Sequence, residues 1–255
     1  MTRFCRNFIA LSVLFVFAAG TLAQTNSRLR LAQAYERNGN YKQALEIYLD
    51  FYGQGKREFG IIHGIQNSYK GLHRYPELVQ FLQKLNRSYP GNLNYKIELG
   101  RAYFLNQQKE KALEHWFSLI AEQPKNKAAY QLIGRIMTEL RLLDEAVEVY
   151  LQAIKNISKQ ENLYREVAYI RRAQLDYEQA TTYLLQYYLS NVKQKNYVRS
   201  QFISMAKDED AAQRISKSIQ TFIEAHPKDT GLLEYQATLH IRLKQYKPAL
   251  NIYKR

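Results

Sequence analysis

The sequence predicts an all-helical chain of tandem helical hairpins, and three observations predict it. Ala44, Leu78, Ala112, Ala146 and Ala180 stand 34 residues apart, and self-similarity at a fixed period of that length marks stacked supersecondary units. Inside each period, apolar residues recur at three- and four-residue intervals over two separate stretches, so each stretch carries one apolar stripe of an amphipathic helix. Runs rich in Val and Thr are scarce, and eleven glycines and five prolines in 255 residues supply too few turns for a many-stranded sheet.

Arg3 and Arg6 open the chain, an apolar run follows from Phe8 to Ala19, and the small residues of Gly20-Thr21-Leu22-Ala23 come next. Residues 1–23 therefore read as a secretory signal peptide, with a mature chain starting near Gln24 and a periplasmic or secreted location. The run is shorter than the roughly 20 apolar residues that span a bilayer. Cys5, the only cysteine, precedes it, so neither a lipid anchor nor a disulfide is expected.

Residues 25–255 divide into repeats near 25–58, 59–92, 93–126, 127–160, 161–195, 196–229 and 230–255, about seven in all with the last incomplete. The eighth place of a unit holds Ala32, Gly100, Gly134, Ala168 or Ala237, and the twentieth holds Ala44, Ala112, Ala146, Ala180 or Ala249. Small residues at these places let paired helices approach closely. Tyr48, Leu82, Trp116, Tyr150 and Leu184 share the twenty-fourth place and are expected to wedge between hairpins. Pro90, Pro124 and Pro227 fall just past second helices, whereas Pro76 and Pro248 fall in first turns, where a missing N–H costs little.

Two units depart from the pattern. In the sixth the register slips by one residue and Ile203 and Ile215 occupy the small places, so its helices are expected to sit further apart or cross differently; in the fifth, Arg171 stands where an aromatic belongs. The chain stops at Arg255 inside the second helix of the seventh unit, and a solenoid end needs a polar cap. The expectation is a continuation of the chain or a partner over that end.

The formal charge is +14, or +12 once Arg3 and Arg6 are removed, which favours anionic partners; export turns the reading away from nucleic acid. The histidines are His63, His73, His115, His226 and His240, no two of them four apart, and no cysteine assists, so no metal site is expected. Nucleophile elbows and phosphate-cradling glycine loops are absent from the sequence. Neither a cofactor nor enzymatic activity is expected. Asp208-Glu209-Asp210 falls at a hairpin turn, where an Asp can cap the next helix. Tyr187, Tyr188 and Tyr197 lack a clear repeat-defined place and stand as candidate stacking platforms.

Leu31-Ala32-x-x-Tyr35 with Ala44 and Tyr48, Leu99-Gly100-x-x-Tyr103 with Ala112 and Trp116, and Ile133-Gly134-x-x-Met137 with Ala146 and Tyr150 resemble the tetratricopeptide repeat family. The resemblance covers nearly all of the mature chain and implies a right-handed α-solenoid whose first helices line a concave groove. It further implies that positions two, five, nine, twelve and thirteen of each unit point into that groove. Position nine then gives Gln33, Asn67, Arg101, Arg135, Tyr169 and Ser204; position twelve gives Glu36, Lys70, Phe104, Thr138, Arg172 and Lys207; position five adds His63, Gln131 and Arg165. The middle of this set is cationic, and arginine's planar fork suits a carboxylate.

The expected function is a non-catalytic adaptor or scaffold of the cell envelope, alone or in a membrane-associated complex, whose basic groove captures an acidic or extended protein segment. Two other readings are open: a structural subunit that binds through its convex face or open end, and recognition of anionic glycan or lipid head groups.

Overall fold

The computed structural model describes residues 26–254, and the expected signal peptide lies outside them. Among the described residues there are 14 α-helices and no strand. The chain divides after His115 into two compact units. The first contains α1 (26–37), α2 (Tyr41–Gly53), α3 (Phe59–Gly71), α4 (Tyr75–Ser88) and α5 (Leu93–Leu105); α6 (Lys109–Glu122) spans the division. The second contains α7 (Lys127–Glu139), α8 (Leu143–Asn156), α9 (Tyr164–Ala173), α10 (Tyr177–Ser190), α11 (Lys195–Met205), α12 (Glu209–Ala225), α13 (Thr230–Arg242) and α14 (Tyr246–Tyr253). No helix among the described residues is long and apolar enough to cross a membrane.

Local chemistry sets the helix ends. The Asn92 side chain accepts the Tyr95 N–H at 3.2 Å, Asn126 accepts the Ala129 N–H at 3.2 Å and Asp208 accepts the Ala211 N–H at 2.8 Å. Each relieves one of the amides that the first helical turn leaves without a partner. At the hairpin turns a left-handed residue ends the first helix: Gly39, His73, Gln107, Arg141, Leu175 and Lys244, with φ between 55° and 76°. The next residue's N–H reaches back to a carbonyl in the last turn, as from Asn40 to Tyr35, Arg74 to Tyr69 and Leu142 to Met137, which closes the helix by the Schellman pattern.

Small residues at fixed places let the helices meet. Ala44, Ala112, Ala146 and Ala180 are fully buried. Tyr48 lies against Gly64 and Tyr150 against Gly134, each ring occupying the space that a Cβ on the glycine would need. In the first unit the interior is completed by Phe51, Ile61, Ile62, Ile65, Leu78, Leu82 and Leu85; in the second, Tyr130, Phe202 and Tyr235 are buried and Phe202 meets Tyr235 edge-on at 5.2 Å.

As expected, the helices of the sixth unit, α11 and α12, meet far less closely than the paired helices of the fourth, fifth and seventh units, but the residues that face inward differ from the expected ones. α11 buries Val198, Phe202 and Met205, while Ile203 is 41% exposed. Phe202, not Ile203, therefore takes the interior place, and Ile215 is buried beside it in the same core. The extra residue enters at the turn after α11, where Asp208 is extended at φ −136° and starts the 17-residue α12. Arg171 fills its aromatic place with an ion pair: Nη1 lies 2.7 Å from Asp144, which also accepts the Gln174 amide at 3.2 Å. The Gln174 amide and the Arg171 guanidinium together hold the Asp144 carboxyl below the usual range.

Candidate functional site

In the first unit, the expected donors of the first-helix face are matched by carboxylates of the same chain. Asn67 on α3 donates to Glu36 on α1 at 2.9 Å and lies 3.0 Å from Nδ1 of His63. The other Glu36 oxygen accepts the Tyr48 hydroxyl at 2.8 Å, and burial, with that bond, pushes the Tyr48 phenol above its ordinary value. Glu98 on α5 lies 3.8 Å from Lys70 and 3.3 Å from Arg101 Nε. An open cleft of about 430 Å³ bounded by Glu36, Arg37, Tyr41, Asn67 and Lys70 thus carries compensated charge. Phe104 is half-buried, and the exposed His63 ring stacks on Phe59 at 5.3 Å.

The second unit is arranged otherwise. Gln131 is half-buried on α7. Arg135 lies 3.8 Å from Glu139, with side-chain exposures of 64% and 48%, and a helical pair so exposed is worth only ~0.3–0.5 kcal/mol. Arg165 meets its neighbour Glu166 at 2.8 Å, and that hydrogen bond holds the guanidinium pKa up. Tyr169 is 57% exposed.

Arg172, one turn further along α9, is held by neutral groups. Its Nη1 donates to Gln201 Oε1 at 2.8 Å and to Ser204 Oγ at 3.3 Å, both on α11. Lys207 follows the end of the same α11, and Arg242 of α13 donates from Nε to the Ala206 carbonyl at 3.4 Å. Three cations therefore gather where α11 presents its carbonyl end, a place whose partial negative charge favours them. Among the described residues none of the three forms an ion pair. Their positive charge remains available to a ligand.

Beside this cluster, α7, α8 and α9 enclose a pocket of about 360 Å³ lined by Arg135, Arg141, Leu143, Tyr150, Tyr169 and Ile170, among others. Burial and the nearby Glu166 carboxylate push the Tyr150 phenol up to about 12.

The sequence reading missed Arg242, although it occupies the thirteenth place of the seventh unit, one of the places that the resemblance directs into the groove. It also missed that Glu36 and Glu98 answer Asn67, Lys70 and Arg101. The stacking platform is corrected at two of its three places: Tyr197 is 38% exposed, but Tyr187 and Tyr188 are 7% and 4% exposed, Tyr188 meets Tyr235 edge-on at 5.3 Å, and its hydroxyl donates to Asp229 at 2.8 Å. The Tyr187 and Tyr188 rings are core. Among the described residues no group of three or more His, Cys, Asp or Glu side chains is placed to hold a metal ion.

No protein-family profile and no curated relative matches this chain. Solved structures do. A tetratricopeptide-containing protein from Cytophaga hutchinsonii, represented by its C-terminal part, is 14% identical over 89% of this chain and 93% of its own, with a TM-score of 0.47. A putative kinesin light chain from Podospora anserina with nearly identical tetratricopeptide-like repeats is 21% identical over 67% and 96%, with a TM-score of 0.44. MamA from Desulfovibrio magneticus is 16% identical over 67% and 96%, with a TM-score of 0.41. At these scores the likenesses carry no functional argument.

Proposed function

We propose that the chain is a non-catalytic protein-interaction adaptor or scaffold, exported to the cell envelope, whose first-helix face captures an acidic, extended segment of a partner protein. The observation that carries this reading is the Arg172 guanidinium, fixed by Gln201 and Ser204 without neutralisation and flanked by Lys207 and Arg242. Two neutral hydrogen bonds orient the fork, and its charge is left for a carboxylate, which accepts it through charge-assisted bonds. The capturing surface is thus α9, α11 and α13 of the second unit rather than the whole set of expected positions. Asn67, Lys70 and Arg101 would first have to leave Glu36 and Glu98.

Calorimetric titration of the mature chain with oligoglutamate and with oligoglutamine tests the reading. Binding of oligoglutamate alone, weakening as salt rises because the Debye length shortens to ~8 Å at physiological ionic strength, is the expected result. Equal binding of both peptides would contradict it. A second reading, assembly through an apolar face, is favoured by α14, where Tyr246, Leu250 and Tyr253 are 64%, 52% and 59% exposed; exposed apolar residues clustered on one helix mark interaction surfaces.

A further inference from the structure

We infer that the pocket enclosed by α7, α8 and α9 seats one bulky apolar side chain, aromatic or branched, of the acidic segment bound at Arg172. The inference rests on the capture of that segment by the second unit and adds a specificity-determining anchor to it.

The cavity measures about 360 Å³, near the lower end of the ~300–1,000 Å³ range of small-ligand pockets, so it suits one side chain better than a whole cofactor. Leu143, Ile170 and Ala173 supply apolar lining, and the half-exposed Tyr169 ring supplies a flat wall. The acids at its rim are engaged: Glu139 lies 3.8 Å from Arg135, and Glu166 lies 2.8 Å from Arg165. Arg141 is exposed at the hairpin turn, with φ at 62°, and forms no ion pair among the described residues.

The pocket therefore sets an apolar wall of Leu143, Ile170, Ala173 and the Tyr169 ring against a polar one of Thr138, Tyr150 and the two engaged acids, with an unneutralised cation at its rim. Charge complementarity then selects the occupant, an apolar residue flanked by carboxylates. Tyr169 and Arg172 stand three residues apart on α9, on one helix face, so pocket and cation cluster adjoin. A single extended segment can put its apolar residue beside Tyr169 and its acids toward Arg172.

Fluorescence anisotropy with labelled oligoglutamate, and with the same peptide carrying one Phe, tests the inference. The mature wild-type chain is expected to bind the Phe-bearing peptide about tenfold tighter or more, the value of burying one such side chain. Ala173→Trp, which fills the pocket, is expected to abolish that difference, so that the variant binds the two peptides with equal affinity. Tyr169→Ala, at an exposed position, provides the same contrast if the tryptophan disturbs folding, and circular dichroism checks both variants.

Equal wild-type affinity for the two peptides, or equal losses for both in the variants, overturns the anchor while leaving acidic capture standing. Failure of both peptides to bind wild type overturns both. Capture of phosphatidylglycerol vesicles without discrimination between the peptides likewise overturns the anchor in favour of a lipid head group.

Discussion

The Tyr150 ring occupies the place of the Cβ that residue 134 lacks: a Cβ built there would fall 2.6 Å from the nearest ring carbon. Gly134→Ala should therefore destabilise the second unit, although alanine is the better helix former. The clash costs roughly 1–3 kcal/mol, and helix preference returns about 1 kcal/mol, so a net loss of up to about 2 kcal/mol is expected in urea denaturation. A more stable variant would show that the ring yields freely.

Ala146 is fully buried on α8, whereas Lys127 is exposed at the start of α7. Ala146→Trp should overpack the hairpin and cost at least roughly 1–3 kcal/mol, while Lys127→Ala should fall within about 0.5 kcal/mol. Comparable shifts of the denaturation midpoint in the two variants would contradict the packing described.

Leu175 sits in the left-handed region at φ 62° with 64% of its surface exposed. Such a backbone costs an L-residue about 1–2 kcal/mol, and glycine loses part of that gain, about 0.4–1 kcal/mol, through the freer unfolded chain. Leu175→Gly is expected to raise stability by about 0.5–1 kcal/mol and Leu175→Ala to leave it nearly unchanged. A melting temperature that falls with glycine would disagree.

Tyr150 and Tyr188 are both pushed up to about 12, chiefly by burial and then by the Glu166 and Asp229 carboxylates respectively; burial also raises Tyr48 and Tyr235. In the unfolded chain a phenol ionises near pH 10. Above that pH the unfolded state binds fewer protons than the folded one, so stability falls with pH. The contribution is complete below about pH 10 and is lost as pH rises toward about 12. Urea midpoints at stepped alkaline pH should decline, and Tyr150→Phe should decline less steeply. Identical slopes would remove Tyr150 from that list.

The hairpins were legible because their signal is local and repeated. Alanine and glycine at fixed places of the 34-residue period announce close helix approach. The sixth unit was not, since Phe202 and Ile203 are neighbours of similar hydropathy and only the turn at Asp208 decides which one faces inward. Among the groove residues, sequence pointed to Arg172 and Lys207 but could not weigh their charge. Glu98, three residues before Arg101, was visible as a helical partner; Glu36 meets Asn67 across 31 residues, a juxtaposition that depends on how one hairpin stacks on the next.

Charge reversal at the α9 to α11 contact is the most direct test of capture by the second unit. Arg172→Glu with Lys207→Glu should abolish detectable oligoglutamate binding in calorimetry, because it removes an oriented donor and installs repulsion. Lys127→Glu with Lys217→Glu carries the same change in net charge at exposed sites elsewhere and should retain most of the affinity. If circular dichroism shows both double variants helical and the two lose affinity equally, net charge alone drives association and the Arg172 site is refuted.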